Sequence, residues 1–263
     1  MSSLTLSLIQ TSLFWEDKAA NLNHFEAQLA LLQGKTQVVV LPELFSTGFS
    51  MNTEQLAESM DGPSVQWMRT MAHQFQLIIT GSLMIKENGH CFNRLLWMLP
   101  NGELGFYDKR HLFAYAGENL HYRQGAKRLI ASVNGFRVNL QICYDLRFPV
   151  WSRQQSKNGQ PEYDLLIYVA NWPERRRVAW MSLLQARAIE NQCYVIGVNR
   201  VGQDGQQIYH SGDSMVINPL GEVLFTKKDE PCVHTLTISK ESLQGYRQQF
   251  PFLKDGDAFE LLP

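Results

Sequence analysis

The fold is decided by residues 77–107, which read LIITGSLMIKENGHCFNRLLWMLPNGELGFY. Asn-Gly dipeptides at positions 88–89 and 101–102 divide this stretch into three apolar segments. An Asn-Gly pair between apolar segments is the strongest short signal for a β-hairpin, because both residues tolerate the positive φ angles of a tight turn. We therefore predict three consecutive antiparallel strands at 77–85, 91–99 and 103–107.

Outside this stretch, strands alternate with helices. Apolar residues recur every three or four positions in 17–32 and in 63–75, which predicts two helices, the second beginning at Pro63. A third helix is predicted at 176–191. Further strands are predicted at 4–10, 38–41, 129–133, 137–142, 165–169, 193–199, 213–217, 223–226 and 234–238. We expect the last three of these strands to close the sheet.

This mixture of hairpins and strand–helix units predicts an α/β protein with mixed sheets. Two facing sheets with helices outside would cover every apolar face of these elements. No internal repeat or linker-like segment divides the chain. We expect one domain over residues 1–263, with a core from about residue 4 to residue 238 and a C-terminal arm at 239–263.

The composition argues against several classes of function. The chain has 263 residues with a formal net charge of -1, and 44% of them are apolar and 19% charged, as in ordinary globular proteins. Such a balance provides no general attraction to nucleic acid or to an anionic membrane. The apolar segments are too short to span a bilayer, and the N-terminus lacks the basic region of a signal peptide. The four cysteines form no CxxC pair, so a reducing cytoplasm is the expected location.

Three reactive side chains follow predicted strands. Glu43 follows the strand at 38–41, Lys109 follows the strand that ends at 107, and Cys143 follows the strand at 137–142. The crevice beyond the carboxyl ends of strands is the usual ligand site of α/β sheets, so these residue types in these positions point to catalysis. Taken singly, each has an ordinary explanation as a loop acid, a surface lysine or a small buried hydrophobe.

Five motifs of the chain resemble the nitrilase superfamily of carbon–nitrogen hydrolases. They are residues 41–43 (LPE), 107–112 (YDKRHL), 142–149 (ICYDLRFP), 170–173 (ANWP) and 185–191 (QARAIEN). The first three motifs occur in the family's order and at family-like spacing, and the resemblance extends from Leu4 to about Ile238. It implies a four-layer α-β-β-α sandwich of two mixed sheets, which forms a homodimer. It also implies a catalytic triad of Glu43, Lys109 and Cys143.

The resemblance assigns a role to each of these residues. Glu43 acts as the general base for Cys143, and the thiolate forms a thioester with a small-molecule amide before water hydrolyses it. Lys109 and the backbone N–H of Tyr144 are expected to stabilise the oxyanion. Glu118 resembles a second active-site glutamate that holds the lysine, since a buried ammonium needs a counter-charge. No metal or organic cofactor is implied, and the seven histidines show no metal-ligand spacing.

The residues at 143–149 (CYDLRFP) resemble the omega-amidase group, and the chain as a whole is similar to its enterobacterial members. That group hydrolyses the terminal amide of 2-oxo dicarboxylic acid monoamides, for example 2-oxoglutaramate to 2-oxoglutarate and ammonia. Such a substrate keeps one carboxylate, which the planar fork of an arginine binds well. The candidate substrate-binding residues are Tyr144, Arg147, Phe113, Tyr115, Trp172, Arg175 and Arg176.

Several alternatives stay open at this point. Instead of binding substrate, Arg147 could form an ion pair with Asp145 or Glu190. The basic residues 175–177 could instead be a solvated start of a helix. A structural role suits His111, with a cysteine–histidine catalytic pair as the runner-up. For the whole chain, the alternatives are another amidase or N-carbamoyl amidohydrolase of the superfamily, a catalytically idle scaffold and a redox-sensing thiol protein.

Overall fold

Two mixed β-sheets lie at the centre of the computed structural model, which describes residues 2–157 and 160–261. The first sheet contains β1 (Ser3–Gln10), β2 (Val38–Val40), β3 (Ile78–Glu87), β4 (His90–Met98), β5 (Leu104–Asp108) and β15 (Cys232–Ser239). The second contains β6 (Ile130–Val133), β7 (Phe136–Ile142), β10 (Leu165–Ala170), β11 (Tyr194–Asn199), β12 (Val201–Gln203), β13 (Tyr209–Ile217) and β14 (Val223–Lys228). A separate two-stranded ribbon consists of β8 (Ser156–Lys157) and β9 (Gln160–Pro161).

The described part of the chain contains longer and shorter helices, and three of the longer ones cover the outer faces of the sheets. The longer helices are α1 (Lys18–Ala30), α3 (Pro63–Phe75), α6 (Arg177–Asn191) and α7 (Lys240–Gln249), and the shorter ones are α2 (Thr53–Leu56), α4 (Glu118–His121) and α5 (Pro149–Ser152). Since α1 and α3 pack on the first sheet and α6 packs on the second, the expected α-β-β-α sandwich of two mixed sheets is confirmed. No helix in the described part of the chain is both long and apolar enough to cross a membrane.

Alternation along the strands divides the apolar side chains between two cores. In β1, Leu6 and Leu8 belong to the core between the sheets, whereas Ile9 belongs to the core beneath α1 and α3. The same division separates Val40 from Val39 in β2. Successive side chains of a strand point to opposite faces, so a strand that is covered on both faces must be apolar throughout.

The hairpins predicted from Asn-Gly dipeptides are confirmed. Asn88 and Gly89 connect β3 to β4 with φ angles of 49° and 78°. Asn134 and Gly135 connect β6 to β7 with φ angles of 47° and 77°. Positive φ at both central positions is the type I′ geometry, which matches the twist of the strands it joins.

The expectation that 234–238 closes one sheet with the two preceding strands is wrong. β14 pairs with β13 in the second sheet, but β15 crosses to the first sheet and runs antiparallel to β1, with Leu4 opposite Ile238 and Leu8 opposite His234. Alternating apolar residues show that a segment is a strand with one buried face, but any free sheet edge can accept it. The strand with which β15 pairs is therefore decided by the tertiary structure and not by the local sequence.

The C-terminal arm packs on its own chain over much of its length. Ser239 caps α7 by accepting a hydrogen bond from the N–H of Ser242 at 3.2 Å. Beyond the helix, the side chain of Gln192 donates to the carbonyl of Phe250 at 2.7 Å, and that of Gln155 donates to the carbonyl of Phe259 at 2.8 Å. The last two residues of the predicted arm, 262 and 263, lie outside the described residues.

Candidate active site

Three strand ends bring Glu43, Lys109 and Cys143 together. Glu43 lies just beyond β2, Lys109 follows β5 and Cys143 follows β7, so two of the side chains come from the first sheet and one from the second. Glu43 is 0% exposed, Lys109 1% and Cys143 9%. The site is therefore a buried meeting point of the two sheets.

The ammonium of Lys109 lies between two carboxylates. Its Nζ donates to Oε1 of Glu43 at 2.9 Å and to both carboxylate oxygens of Glu118 at 2.9 Å. Burial alone would lower the pKa of Lys109, but Glu118 and Glu43 outweigh it and hold that pKa above its ordinary value. Burial raises the pKa of Glu118, and the attraction of Lys109 offsets this only in part. The lysine is a fixed positive charge at neutral pH.

Two asparagines orient the carboxylate of Glu43. Nδ2 of Asn93 donates to Oε1 at 2.8 Å, and the backbone N–H of Asn171 donates to Oε2 at 2.8 Å. The side chain of Asn171 also donates to the carbonyl oxygen of Glu43 at 2.6 Å. Sequence reasoning assigned no role to either asparagine, although Asn93 is a polar residue inside the apolar strand β4 and Asn171 belongs to the ANWP motif.

Cys143 begins a tight turn that projects its thiol toward Glu43. Its φ angle is +43°, in the left-handed region, and residues Cys143–Arg147 form a 3-10 turn. A left-handed conformation is costly for a residue with a side chain and is typical of functional positions. Burial raises the pKa of the thiol, and so do the negative charge of Glu43 and a hydrogen bond to it, while Lys109 lowers it less. The thiol is thus protonated at neutral pH and needs a base beside it.

Asp145 connects the turn of Cys143 to the segment that carries Lys109. Its Oδ2 accepts hydrogen bonds from the hydroxyl of Tyr107 at 2.7 Å and from the N–H of Ile142 at 3.0 Å. Its Oδ1 accepts from the N–H of His111 at 2.9 Å and lies 2.8 Å from Nδ1 of the same residue. His111 also stacks on Phe148 with ring centroids 3.9 Å apart. The contacts of His111 are those of a structural residue rather than of a partner for Cys143.

The thiol opens into a cleft of about 250 Å³. All of the sequence-predicted substrate-binding residues line it, namely Phe113, Tyr115, Tyr144, Arg147, Trp172, Arg175 and Arg176. Sequence reasoning missed a second group of lining residues, which carried no motif and lie either between β2 and α2 or between the end of β12 and the start of β13: Phe49, Met51, Asp204, Gln206, Ile208 and His210. Volume and lining fit a ligand of a few carbon atoms.

The arginines of the cleft have aromatic neighbours. The guanidinium of Arg147 lies 5.0 Å from the ring centroid of Trp172, within cation–π range. Its alternative ion pairs do not form, because Asp145 is bound to Tyr107 and His111 and Glu190 is paired with Arg187.

Arg176 lies over a second aromatic ring. Its guanidinium is 5.0 Å from the ring centroid of Phe113. Burial and the neighbouring Arg175 lower the pKa of Arg176. By contrast, Arg177 forms an ion pair with Asp213 at 2.7 Å, which is a structural role at the start of α6. Of the three consecutive arginines, Arg175 and Arg176 therefore line the cleft, whereas Arg177 stabilises the fold.

Neither a disulfide nor a metal cluster occurs among the described residues. Cys91, Cys143, Cys193 and Cys232 are free thiols. In residues 2–157 and 160–261, no group of three or more His, Cys, Asp or Glu side chains could hold a metal ion.

Fold and site together define a class of enzyme, the hydrolases that act on carbon–nitrogen bonds. The chain belongs to the carbon–nitrogen hydrolase family, whose model matches residues 5–248. The enzyme accordingly acts on carbon–nitrogen bonds other than peptide bonds. The family resemblance drawn from the motifs is confirmed.

Particular relatives cover nearly the whole chain. It is 44% identical to the omega-amidase YafV of Escherichia coli strain K12, over 99% of this chain and 100% of the relative. It is 31% identical to the 2-oxoglutaramate amidase of Bacillus subtilis strain 168, over 95% of this chain and 96% of the relative. The crystal structure of XC1258 from Xanthomonas campestris, a CN-hydrolase superfamily protein with an arsenic adduct in the active site, matches with a TM-score of 0.96 and 47% identity. That match covers 99% of this chain and 100% of the other.

Proposed function

We propose that the protein is an omega-amidase, which hydrolyses the terminal amide of 2-oxo dicarboxylic acid monoamides such as 2-oxoglutaramate. The observation that carries the proposal is Lys109, held by two carboxylates beside the thiol of Cys143, at the base of a small cleft whose arginines form no ion pair with any described residue. The relatives named omega-amidase and 2-oxoglutaramate amidase support the choice of substrate. The products are 2-oxoglutarate and ammonia.

The first half of the reaction transfers the acyl group to the enzyme. Glu43 takes the proton of Cys143, whose raised pKa makes such a base necessary. The thiolate sulfur bonds to the amide carbon, and the carbonyl electron pair moves to oxygen. Lys109 and the N–H of Tyr144 stabilise that oxyanion. The carbon–nitrogen bond then breaks, Glu43 returns the proton to the departing nitrogen, and ammonia leaves behind a thioester.

The second half returns the enzyme to its starting state. Glu43 takes a proton from water, and the hydroxide oxygen bonds to the thioester carbon. Collapse of the second tetrahedral intermediate breaks the carbon–sulfur bond, and the sulfur of Cys143 regains its proton from Glu43. Glu118 keeps Lys109 in place throughout, since it holds the ammonium with both oxygens while Glu43 changes its charge. This division of labour gives a reason for two carboxylates around one lysine.

Arg176 is the proposed receptor for the substrate carboxylate. It lines the cleft, it is half-buried, and no carboxylate among the described residues lies within 4 Å of its guanidinium. The thiol of Cys143 lines the same cleft as Arg176. Charge-assisted hydrogen bonds contribute about 1.5–3 kcal/mol, which corresponds to about 10–100-fold in affinity.

Ammonia release tests the proposal. We expect the wild type to release ammonia from 2-oxoglutaramate and not from glutamine, a carbamoyl amino acid or a simple nitrile. Cys143→Ala should abolish the reaction, while Cys232→Ala, a half-buried thiol elsewhere, should retain it. Turnover of another amide but not of 2-oxoglutaramate would discard the substrate and keep the triad. No turnover of any of them would favour a different amide substrate first and an idle scaffold second.

A second comparison tests the arginine. Arg176→Ala should raise KM for 2-oxoglutaramate about 10–100-fold with little change for an uncharged aliphatic amide. Arg123→Ala, at an exposed arginine outside the cleft, is the matched control. An Arg176→Ala enzyme with wild-type kinetics on 2-oxoglutaramate would remove this residue from the substrate site.

The proposal extends to the oligomeric state of the protein and to its location in the cell. We expect a homodimer, as the family resemblance implies, and light scattering of the purified protein would measure its mass. A cytoplasmic location agrees with four free cysteines, which a reducing compartment maintains. Cell fractionation would test it.

A further inference from the structure

Trp15 lies outside the cleft but contacts both of the loops that sequence reasoning missed. Its ring packs against Gly205, where an added methyl carbon would lie 2.4 Å from three ring carbons. It also packs against Gly48, which has a φ of +74° and where an added methyl carbon would lie 3.1 Å from Cε3 of the ring. At Gly205 the ring's approach requires glycine, because real Cβ carbons essentially never lie within 3.0 Å of another heavy atom. At Gly48 an added carbon would be a tight contact, and the positive φ also favours glycine.

The first of these loops, residues 46–51, is bound tightly to the segment that carries Trp15. The N–H of Glu16 donates to the carbonyl of Thr47 at 2.9 Å, and Oγ of Ser50 donates to the carboxylate of Glu16 at 2.5 Å. The loop contributes Phe49 and Met51 to the cleft, and the ring centroid of Phe49 lies 5.2 Å from Nζ of the catalytic lysine. These hydrogen bonds fix the segment of Trp15 to the loop 46–51, which forms one wall of the cleft.

The second loop, residues 204–208, connects β12 to β13 and is closed mainly on itself. Oδ1 of Asp204 accepts from the N–H of Gln206 at 2.8 Å and from the N–H of Ile208 at 2.9 Å. Asp204, Gln206 and Ile208 form part of the cleft lining. The loop is compact, and the ring of Trp15 against Gly205 connects it to the other wall.

We propose that Trp15 is a positioning residue for substrate selectivity: by packing between Gly48 and Gly205 it sets the distance between two walls of the cleft and limits the length of the acyl chain. Only the choice of test substrate rests on the proposed function. The chemistry of Cys143, Glu43 and Lys109 does not involve these contacts, so removal of the ring alters substrate fit and not thiol reactivity. A displacement of one wall by about 1 Å is enough to change the rate of catalysis by up to about 100-fold.

The experiment compares 2-oxoglutaramate with its homologue that is one methylene longer, 2-oxoadipamate. In Trp15→Ala we expect KM for 2-oxoglutaramate to rise about 10-fold, and the wild-type preference for the shorter substrate to fall about 10-fold, since one methylene in a pocket changes kcat/KM by about 10–200-fold. The rate at which iodoacetamide alkylates Cys143 should stay within about twofold of the wild-type rate. If the substitution only destabilised the fold, this rate would change as well.

Three further variants make the test specific. Gly205→Ala should shift the preference in the same direction from the other side of the contact, and Trp15→Phe should retain most of the wild-type preference because it keeps a ring. Gly245→Ala is the control, since an added methyl there meets nothing within 4 Å. An unchanged length preference in both Trp15→Ala and Gly205→Ala would overturn the proposal. So would an equal loss of turnover and of alkylation rate in both.

Failure of the proposed function gives a different result. In that case the wild type itself would not hydrolyse 2-oxoglutaramate. The same variants would then be measured on the amide that the wild type does hydrolyse and on its one-carbon-longer homologue, with the same expected change in length preference.

Discussion

At the scale of single residues, Lys109 shows how a buried cation is made compatible with the protein interior. An ammonium without partners would lose its hydration at a cost of several kcal/mol and would give up its proton. Here Glu43 and Glu118 hold it in the charged form. The lysine is therefore a permanent positive charge rather than a proton donor, which agrees with the proposal that Glu43 moves the protons.

Glu118→Gln tests that balance. The substitution keeps the shape of the side chain but removes one of the two counter-charges of Lys109. We expect kcat to fall about 10–100-fold, with a smaller change in KM, because the lysine loses the partner that fixes its position. Steady-state kinetics would measure this beside Glu241→Gln, an exposed carboxylate of α7. Equal kcat values for the two variants would show that Glu43 alone holds the lysine.

His210 makes stability depend on pH. It lines the cleft and is 3% exposed, and burial together with the positive charge of Arg200 lowers its pKa to about 4. The unfolded chain binds a proton near pH 6.5, so the contribution of His210 is fully present above about pH 6.5 and is lost as the pH falls toward 4. A shift of this size corresponds to about 3 kcal/mol.

The variant His210→Gln should therefore lose less stability between pH 6.5 and pH 4 than the wild type does. Urea unfolding at a series of pH values would measure the difference, with the exposed His73→Gln as a matched control. Parallel curves for His210→Gln and wild type would mean that His210 accepts a proton equally well in the folded protein.

At the scale of elements, the 3-10 turn after β7 has to be aligned with the end of β5, although the two belong to different sheets. Asp145 achieves this by accepting hydrogen bonds from Ile142 on one side and from Tyr107 and His111 on the other. The hydroxyl of Tyr107 in turn accepts from Nε1 of Trp151 at 3.0 Å. A buried polar network of this kind is stabilising only while each member keeps its partners.

Tyr107→Phe removes one hydroxyl from this network and keeps the buried ring. We expect a loss of about 1–3 kcal/mol in the free energy of unfolding and a reduction of about 10-fold in kcat, since the turn of Cys143 loses part of its alignment with Lys109. Tyr163→Phe is the matched control, because that buried hydroxyl donates to the carbonyl of Ser152 instead. The alignment role is wrong if both variants lose stability but neither loses kcat.

At the scale of the whole molecule, the C-terminal segment connects the two sheets. β15 extends the first sheet, and the helix that follows it returns to the end of the second sheet at Asp164. That carboxylate is bound by Lys240, by Nη1 of Arg247 at 3.0 Å and by the N–H of Arg137 at 2.9 Å. Burial would raise the pKa of Asp164, but these partners outweigh it and hold the pKa below its ordinary value.

Asp164→Asn should lower the free energy of unfolding by about 3 kcal/mol near neutral pH, because it leaves the partly buried cations of α7 without their counter-charge. The stabilisation by Asp164 is present above the pKa of about 4 that an unfolded aspartate has, and it is lost as the pH falls through the lower folded value. The difference between wild type and variant should therefore shrink below about pH 4. Thermal unfolding beside the exposed Asp61→Asn would measure it.

The sequence by itself determined most of the longer elements and the reactive residues, although α7, β12 and the short helices were not predicted. Period-two alternation and Asn-Gly dipeptides identified the strands and hairpins, because these signals depend on neighbouring residues alone. The motifs placed Glu43, Lys109, Glu118 and Cys143 in one site, and the structure brings these four side chains together. What these residues do in catalysis stays a prediction until the variants are measured.

Only the tertiary structure decided which distant segments meet. It showed that β15 joins β1, that Asn93 and Asn171 orient Glu43 from positions 50 and 128 residues away, and that Trp15 packs against both Gly48 and Gly205. Local patterns report which face of an element is buried but not which partner buries it. That choice depends on how all the apolar faces and polar groups of the chain are satisfied together.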